Sequence, residues 1–339
     1  MIAQTPHAVW PEFSERELNR MLLEWGEEKT LAAIRTREAL VAQEAEDPFN
    51  GDPELEPECW REFNEFLHDP EVEVIALFGG NRTSKSWLAA KRLMQAAVKH
   101  RGFFLALRDT AQASIEQLQP IVWHFMPAAW KAQNRPRATM TTAITYQSKS
   151  GFVDGKAVLP NGTRLVFATY TQDHTPYEGY EFGSEAHVPC LGVWADEAMT
   201  LPWLNMLARR VRFSKAKLLW TFTPVHGLTP AMKEFLGSTP QYIRSKVADL
   251  LPAAQLPGLP RGHMPTVAIP WMKKARSVWW HVGCNPFKGY TAQVRENCAG
   301  RTMEYVERVA YGYARDVAAR AFPLFGSGNV FGDGGAVAE

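Results

Sequence analysis

From residue 72 to residue 222, short apolar runs alternate with longer stretches of helical spacing. Val72 to Phe78 (Val-Glu-Val-Ile-Ala-Leu-Phe) has the length and composition of a buried strand, and Trp87 to Lys99, rich in Ala, Leu, Met and Lys, reads as the helix after it. Phe103 to Leu107 is a second apolar strand, and the stretch from Ser114 to Trp123 is helical until Pro120 disturbs it. Ala157 to Leu159 and Arg164 to Thr169 flank Pro160-Asn161-Gly162, a hairpin signal. Leu191 to Ala195 and Leu218 to Phe222 complete the series. Strands alternating with helices predict an α/β fold, a mainly parallel sheet flanked by helices.

Outside this region the pattern changes. Leu18, Met21, Leu22 and Trp25, then Leu31, Ile34, Leu40 and Val41, recur at helical spacing among charges, which predicts two amphipathic helices broken near Gly26. Asp47 to Pro57, with its prolines and glycine, links them to the core. Beyond residue 246 comes a proline-rich crossing (Pro252, Pro257, Pro260, Pro265, Pro270) that continues as helices, with Trp271, Trp279 and Trp280 as core. The chain therefore divides into an N-terminal helical arm and linker (1–57), a core (58–246), a small helical part (247–320) and a glycine-rich tail (321–339).

Between the first strand and its helix lies Gly79-Gly80-Asn81-Arg82-Thr83-Ser84-Lys85-Ser86, one residue away from the phosphate-binding pattern G-x-x-x-x-G-K-[ST]. Backbone N–H groups of such a loop, backed by the positive end of a helix, surround phosphates; Lys85 would reach the terminal phosphates and the Ser86 hydroxyl would ligate Mg²⁺. The chemistry indicated is that of ATP with Mg²⁺. Ser84 stands where the pattern has glycine, and serine fits only with negative φ or with tolerated strain.

A second signal is Leu191-Gly192-Val193-Trp194-Ala195-Asp196-Glu197, an apolar run closed by two acids like a Walker B strand. Asp196 at the strand's carboxyl end would hold the metal, and Glu197 would take a proton from the attacking water. Thr221 and Thr223 end the next strand, Leu218 to Phe222 and beyond, at the edge where ligands of open α/β sheets bind; there they could sense the γ-phosphate and pass on its loss. Arg209, Arg210, Arg212, Lys215 and Lys217 form the densest basic run. It reads either as a solvated helix end or as the source of a trans-acting arginine that enters a neighbouring subunit's site.

Composition narrows the partners. A net charge of +1 provides no overall basic field, so contact with nucleic acid requires a local patch. The long polar loop Tyr170 to Glu185 is a candidate for such contact. Cys59, Cys190, Cys284 and Cys298 include no C-x-x-C pair and read as reduced thiols; His281 with Cys284 has metal-ligand spacing but too few companions for a zinc site. No basic-then-apolar leader and no run of about 18 apolar residues is seen, so neither export nor a membrane span is expected.

The order of these pieces resembles the large terminase subunit of tailed bacteriophages, the ATPase that drives DNA into procapsids. The resemblance is carried by Gly79 to Ser86, by Asn161-Gly162-Thr163-Arg164-Leu165-Val166-Phe167, by Val193-Trp194-Ala195-Asp196-Glu197 and by Thr221-Phe222-Thr223-Pro224. It implies an ASCE/RecA-like P-loop NTPase core. Arg82, matching an arginine of the family's loop, would place positive charge near the γ-phosphate. Cys284-Asn285-Pro286-Phe287 and Arg308-Val309-Ala310-Tyr311-Gly312 look like parts of the family's lid subdomain. The partners implied are double-stranded DNA, a portal protein, a small terminase subunit and further copies in a ring, in the host cytoplasm at the portal vertex. The N-terminal helices would dock a partner or pack on their own domain.

Large terminases usually continue into a nuclease domain with clustered aspartates. Here only Asp333 and Glu339 are acids beyond Ala321-Phe322-Pro323-Leu324-Phe325, so ATPase activity without DNA cleavage is expected. Two other classes share the motifs: a helicase-like nucleic-acid-dependent ATPase, and a non-hydrolysing assembly factor that uses nucleotide as a clamp.

Overall fold

The computed structural model of the chain describes residues 15–31, 58–127, 130–132, 144–224, 227–236, 267–268, 274–280, 285, 296 and 298–312. The chain divides into two compact units, Met1–Glu56 and Pro57–Glu339. In the first, helix α1 (Glu15–Trp25) ends at Gly26, whose φ of +79° suits a residue without a Cβ, and a helical turn resumes at 27. This is the expected break. The helix expected around Leu40 lies outside the described residues.

The second unit is built on a nine-stranded sheet. Its elements are α2 (Glu58–His68), β1 (Val74–Gly79), α3 (Lys85–Lys99), β2 (Gly102–Arg108) and a helical stretch α4 made of Ala111–Ala113, a π-helical Ser114–Leu118 and Gln119–Phe125. Then follow β3 (Tyr146–Gln147), β4 (Gly151–Phe152), β5 (Lys156–Val158), β6 (Arg164–Thr169), β7 (Gly183–Ser184), β8 (Cys190–Asp196), α5 (Leu201–Ser214), β9 (Ala216–Phe222), α6 (Pro230–Leu236), β10 (Val267–Ala268), β11 (Ala275–Trp280) and α7 (Met303–Tyr311). The strand order is β10-β11-β1-β9-β8-β2-β6-β5, with β7 beside β2, while β3 and β4 form a separate pair. From β11 through β1, β9, β8 and β2 to β6 every neighbouring pair is parallel; β10, β5 and β7 are antiparallel additions.

Both faces are covered, which is why β1, β2, β8 and β9 are buried at every position and read as continuous apolar runs. Val74, Ala76 and Phe78 of β1 pack in one cluster with Trp203 and Leu207 of α5, Met232 and Phe235 of α6 and Val309 of α7. Phe78 stacks on Phe222 at 5.3 Å between ring centres. The alternate residues Ile75 and Leu77 face the other side, where α3 lies against β8 and β9. The hairpin expected at Pro160-Asn161-Gly162 is the β5–β6 pair, with Gly162 at φ +85° in its turn.

Two readings are revised. Pro120 does not end its helix, which runs on to Phe125. Thr110 caps its start, accepting a hydrogen bond from Ala113 N–H, and the π segment inserts an extra residue so that Gln119 N–H bonds to Ser114 carbonyl. Pro120 then sits in the first turn of a new α segment, where a missing N–H costs little. Residues 275–280 are not helical but a strand of the central sheet, parallel to β1. Trp279 and Trp280 are core, as expected, but in the sheet; Trp271 lies outside the described residues. Among the described residues no helix is long and apolar enough to cross a membrane.

Candidate functional site

In a parallel sheet every strand delivers its last residue to the same edge. The ends of β1, β9, β8, β2 and β6 therefore bring together Gly79, Phe222, Asp196, Arg108 and Thr169. The loop Gly79 to Ser86 leaves β1 there and turns directly into α3. Its start is tightly enclosed. Gly80 N–H donates to Trp280 carbonyl at 3.0 Å and Asn81 N–H to Val309 carbonyl at 2.7 Å, so β11 and the carboxyl end of α7 hold the first half of the loop. A Cβ on Gly80 would come within 2.2 Å of the Ala310 carbonyl oxygen, which is why a glycine is needed there.

The second half of the loop carries the polar groups. Lys85 is buried, and its ammonium donates to Gly80 carbonyl at 2.7 Å and to Thr83 Oγ1 at 3.0 Å. Arg82 is exposed, and its carbonyl accepts a hydrogen bond from Asn285 Nδ2 at 2.5 Å. Ser84, at the start of α3, has φ +67° and makes no side-chain cap. The serine thus adopts the left-handed backbone that the usual glycine would adopt freely. Ser86 reaches across the chain: its hydroxyl donates to Asp196 Oδ1 at 3.2 Å.

Asp196 is the centre of a buried network. Its Oδ1 also accepts from Thr221 Oγ1 at 2.5 Å, while its Oδ2 pairs with Arg108 Nη1. The Thr221 hydroxyl in turn accepts from Trp194 Nε1 at 2.7 Å, and Tyr170 Oη donates to the Asp196 backbone carbonyl at 2.9 Å. Burial drives the Tyr170 phenol well above its ordinary range, so that it remains a donor. Glu197 has φ +63°. Its backbone is pinned by Thr221 carbonyl at 2.6 Å and Trp220 Nε1 at 2.7 Å, and its carboxylate accepts from Thr223 N–H at 3.1 Å.

The structure thus brings together, at one edge, Gly79 to Ser86, Asp196, Glu197, Thr221 and Thr223. It does not bring Arg209, Arg210 or Arg212 there. Helix α5 carries the chain from the carboxyl edge of β8 back to the amino end of β9, so these three lie in the half of α5 leading away from the loop. Arg209 is 3.8 Å from Glu178, Arg210 donates to Tyr180 carbonyl at 2.9 Å, and Arg212 pairs with Glu73 at 2.9 Å. Arg212, Lys215 and Lys217 line a cleft of about 780 Å³ with Glu73 and Lys274.

Sequence reasoning missed Arg108 and Tyr170. Arg108 is the last residue of β2 and Tyr170 immediately follows β6, and in a parallel sheet that position at the carboxyl edge was the available signal. His281 and Cys284 lie outside the described residues, and among the described residues no group of three His, Cys, Asp or Glu is placed to hold a metal. Ser86 Oγ and Asp196 Oδ1 are nonetheless two hard oxygen donors side by side. That set fits Mg²⁺, which takes its remaining ligands from phosphates and water.

The chain matches no family model and no curated protein.

Proposed function

We propose that this chain is a P-loop ATPase of the RecA-like kind whose work is moving double-stranded DNA, as in the large terminase subunit it resembles. The observation that carries the reading is the 3.2 Å contact between Ser86 Oγ and Asp196 Oδ1, residues 110 apart in sequence and drawn from the two motifs expected to share one metal. The strand order supports it: β9, which carries Thr221 one residue before its end, separates the loop strand β1 from the acid strand β8 and places a hydroxyl against Asp196.

In this reading Gly79 to Ser86 bind the phosphates of ATP, and Ser86 and Asp196 would hold Mg²⁺, which supplies charge neutralisation on the transferring phosphoryl group. Glu197, oriented by Thr223 N–H, takes the proton from the attacking water. Lys85 exchanges its Gly80 and Thr83 partners for phosphate oxygens. Arg82 adds positive charge from the exposed side of the loop. Because Thr221 touches Asp196 and Thr223 touches Glu197, loss of the γ-phosphate would be felt along β9. Partners in this role are DNA, a portal, a small terminase subunit and further copies of the chain in a ring.

The test is ATP hydrolysis at high protein concentration, with and without double-stranded DNA, for the wild-type chain and Glu197→Gln. Hydrolysis that falls by about 10²-fold or more in the variant, with ATP binding retained, is expected. Equal rates in both would remove Glu197 from the mechanism. ATP bound without turnover in either, even with DNA and portal present, would favour the nucleotide-clamp alternative, for which Ser84 speaks.

A further inference from the structure

Arg108 ends β2 at the same edge, and its guanidinium is hydrogen-bonded on two sides and faces a carboxylate on the third. Nη1 pairs with Asp196 Oδ2, Nη2 donates to Gln117 Oε1 at 2.5 Å, and Nε lies 3.3 Å from Asp109 Oδ1. Gln117 belongs to the π-helical segment of α4, so that distortion puts its side chain within reach of the guanidinium. The side chains of Arg108 and Asp196 are 11% and 2% exposed, a pair largely withdrawn from water. The two oxygens of Asp196 are thus divided: Oδ1 faces Ser86 and Thr221, and Oδ2 faces a fixed cation.

That division bears on how a divalent cation is held. A carboxylate whose charge is already balanced by a neighbouring guanidinium attracts a second cation weakly. The buried ammonium of Lys85, on the same loop, adds to the repulsion. The chain itself offers two oxygen donors at this point, Ser86 Oγ and Asp196 Oδ1, where Mg²⁺ usually requires several more from phosphate and water.

We propose that Arg108 makes cation binding at Ser86 and Asp196 conditional on the triphosphate: the compensated pair does not retain a bare divalent cation and accepts one as its nucleoside triphosphate complex. This rests on the reading of residues 79–86 as a phosphate loop. Arg108 is then a positioning residue. It fixes which oxygen of Asp196 faces Ser86, and it keeps the site from filling with metal before nucleotide arrives.

The probe is Mn²⁺ alone, followed by its electron paramagnetic resonance signal, titrated without nucleotide into the full chain. Arg108→Gln is expected to bind Mn²⁺ at least about tenfold more tightly than wild type, because it uncovers a buried carboxylate. Adding Asp196→Asn to that variant is expected to abolish the gain. Equal affinity in wild type and Arg108→Gln, or a gain that survives Asp196→Asn, overturns the proposal. If Arg108→Gln does not fold by circular dichroism, wild type decides: Mn²⁺ held at least about tenfold more weakly without nucleotide than with a non-hydrolysable ATP analogue supports the proposal, and equal affinity overturns it. A fluorescent ATP analogue titrated in parallel into wild type separates the two readings: failure to bind it sinks the ATPase assignment, whereas the Mn²⁺ comparison stands or falls by itself.

Discussion

At the scale of single residues, backbone strain gathers at the candidate site. Among the described residues, non-glycine positions with positive φ are Arg82, Ser84, Asp154, His187, Glu197 and Lys215, and half of these belong to the candidate site. Left-handed backbone costs an L-residue about 1–2 kcal/mol, so it persists where surrounding contacts over-determine it. For Glu197 those contacts are visible in Thr221 carbonyl and Trp220 Nε1. For Ser84 the side chain contributes one bond to the adjacent Thr83 carbonyl. Ser84→Gly should therefore stabilise the chain by about 1 kcal/mol, read as a higher urea midpoint with unchanged slope. The same change should leave nucleotide binding equal or tighter. A lower midpoint would mean that the serine hydroxyl contributes more than its backbone costs.

At the scale of elements, one buried lysine ties α2 to the sheet. Lys217, 2% exposed on β9, donates to the carbonyls of Phe66, Asp69 and Val72, groups at and just beyond the end of α2 that have no helical partner of their own. Lys217→Met should cost about 2–4 kcal/mol, because a thioether removes the lysine donor from the Phe66 and Val72 carbonyls and leaves the Asp69 carbonyl only the Val72 N–H. Burial lowers the Lys217 pKa from its ordinary 10.5, outweighing the attraction of Asp69 and Glu73. The unfolded chain then binds more protons than the folded one between the lowered value and 10.5, so wild-type stability should rise with pH through that window relative to Lys217→Met. Urea midpoints of both proteins from pH 8 upward check the sign, and a wild-type advantage that shrinks there would contradict it.

This lysine also shows where the sequence stops being readable. As part of a basic run it read as solvated or catalytic, yet its partners lie about 150 residues earlier and no local pattern announces them. Contiguous signals fared better. The β1–loop–α3 succession, the β5–β6 hairpin and the acid-ended strand β8 are each written in one stretch of chain, and each appears where it was expected. Strand β11 was missed because six apolar and polar residues after a proline-rich crossing have no period long enough to separate strand from helix. Pro120 was misjudged for a related reason, since the π turn that accommodates it depends on packing and not on any residue in view.

At the scale of the whole molecule, the sheet has a direction. Its carboxyl edge carries the loop, Asp196, Glu197 and the two threonines, while α5 brings Arg209, Arg210 and Arg212 toward the other edge. Within one chain these arginines and the loop therefore cannot meet without unfolding α5. If one of them assists hydrolysis, it does so in a second copy, presented by the edge opposite that copy's own loop. Arg209 and Arg210 are the two to examine, because their partners, Glu178 and the Tyr180 carbonyl, belong to an exposed loop and can be exchanged at modest cost. Arg210→Ala should then keep the fold and lose hydrolysis in an assembled ring. When it is mixed with Glu197→Gln, activity should partly return, because an intact arginine from one variant can serve the intact acid of the other. Activity that stays at the sum of the two separate variants at every mixing ratio would leave these arginines with a structural task, holding the 171–182 loop to α5, and would place any shared catalytic charge elsewhere.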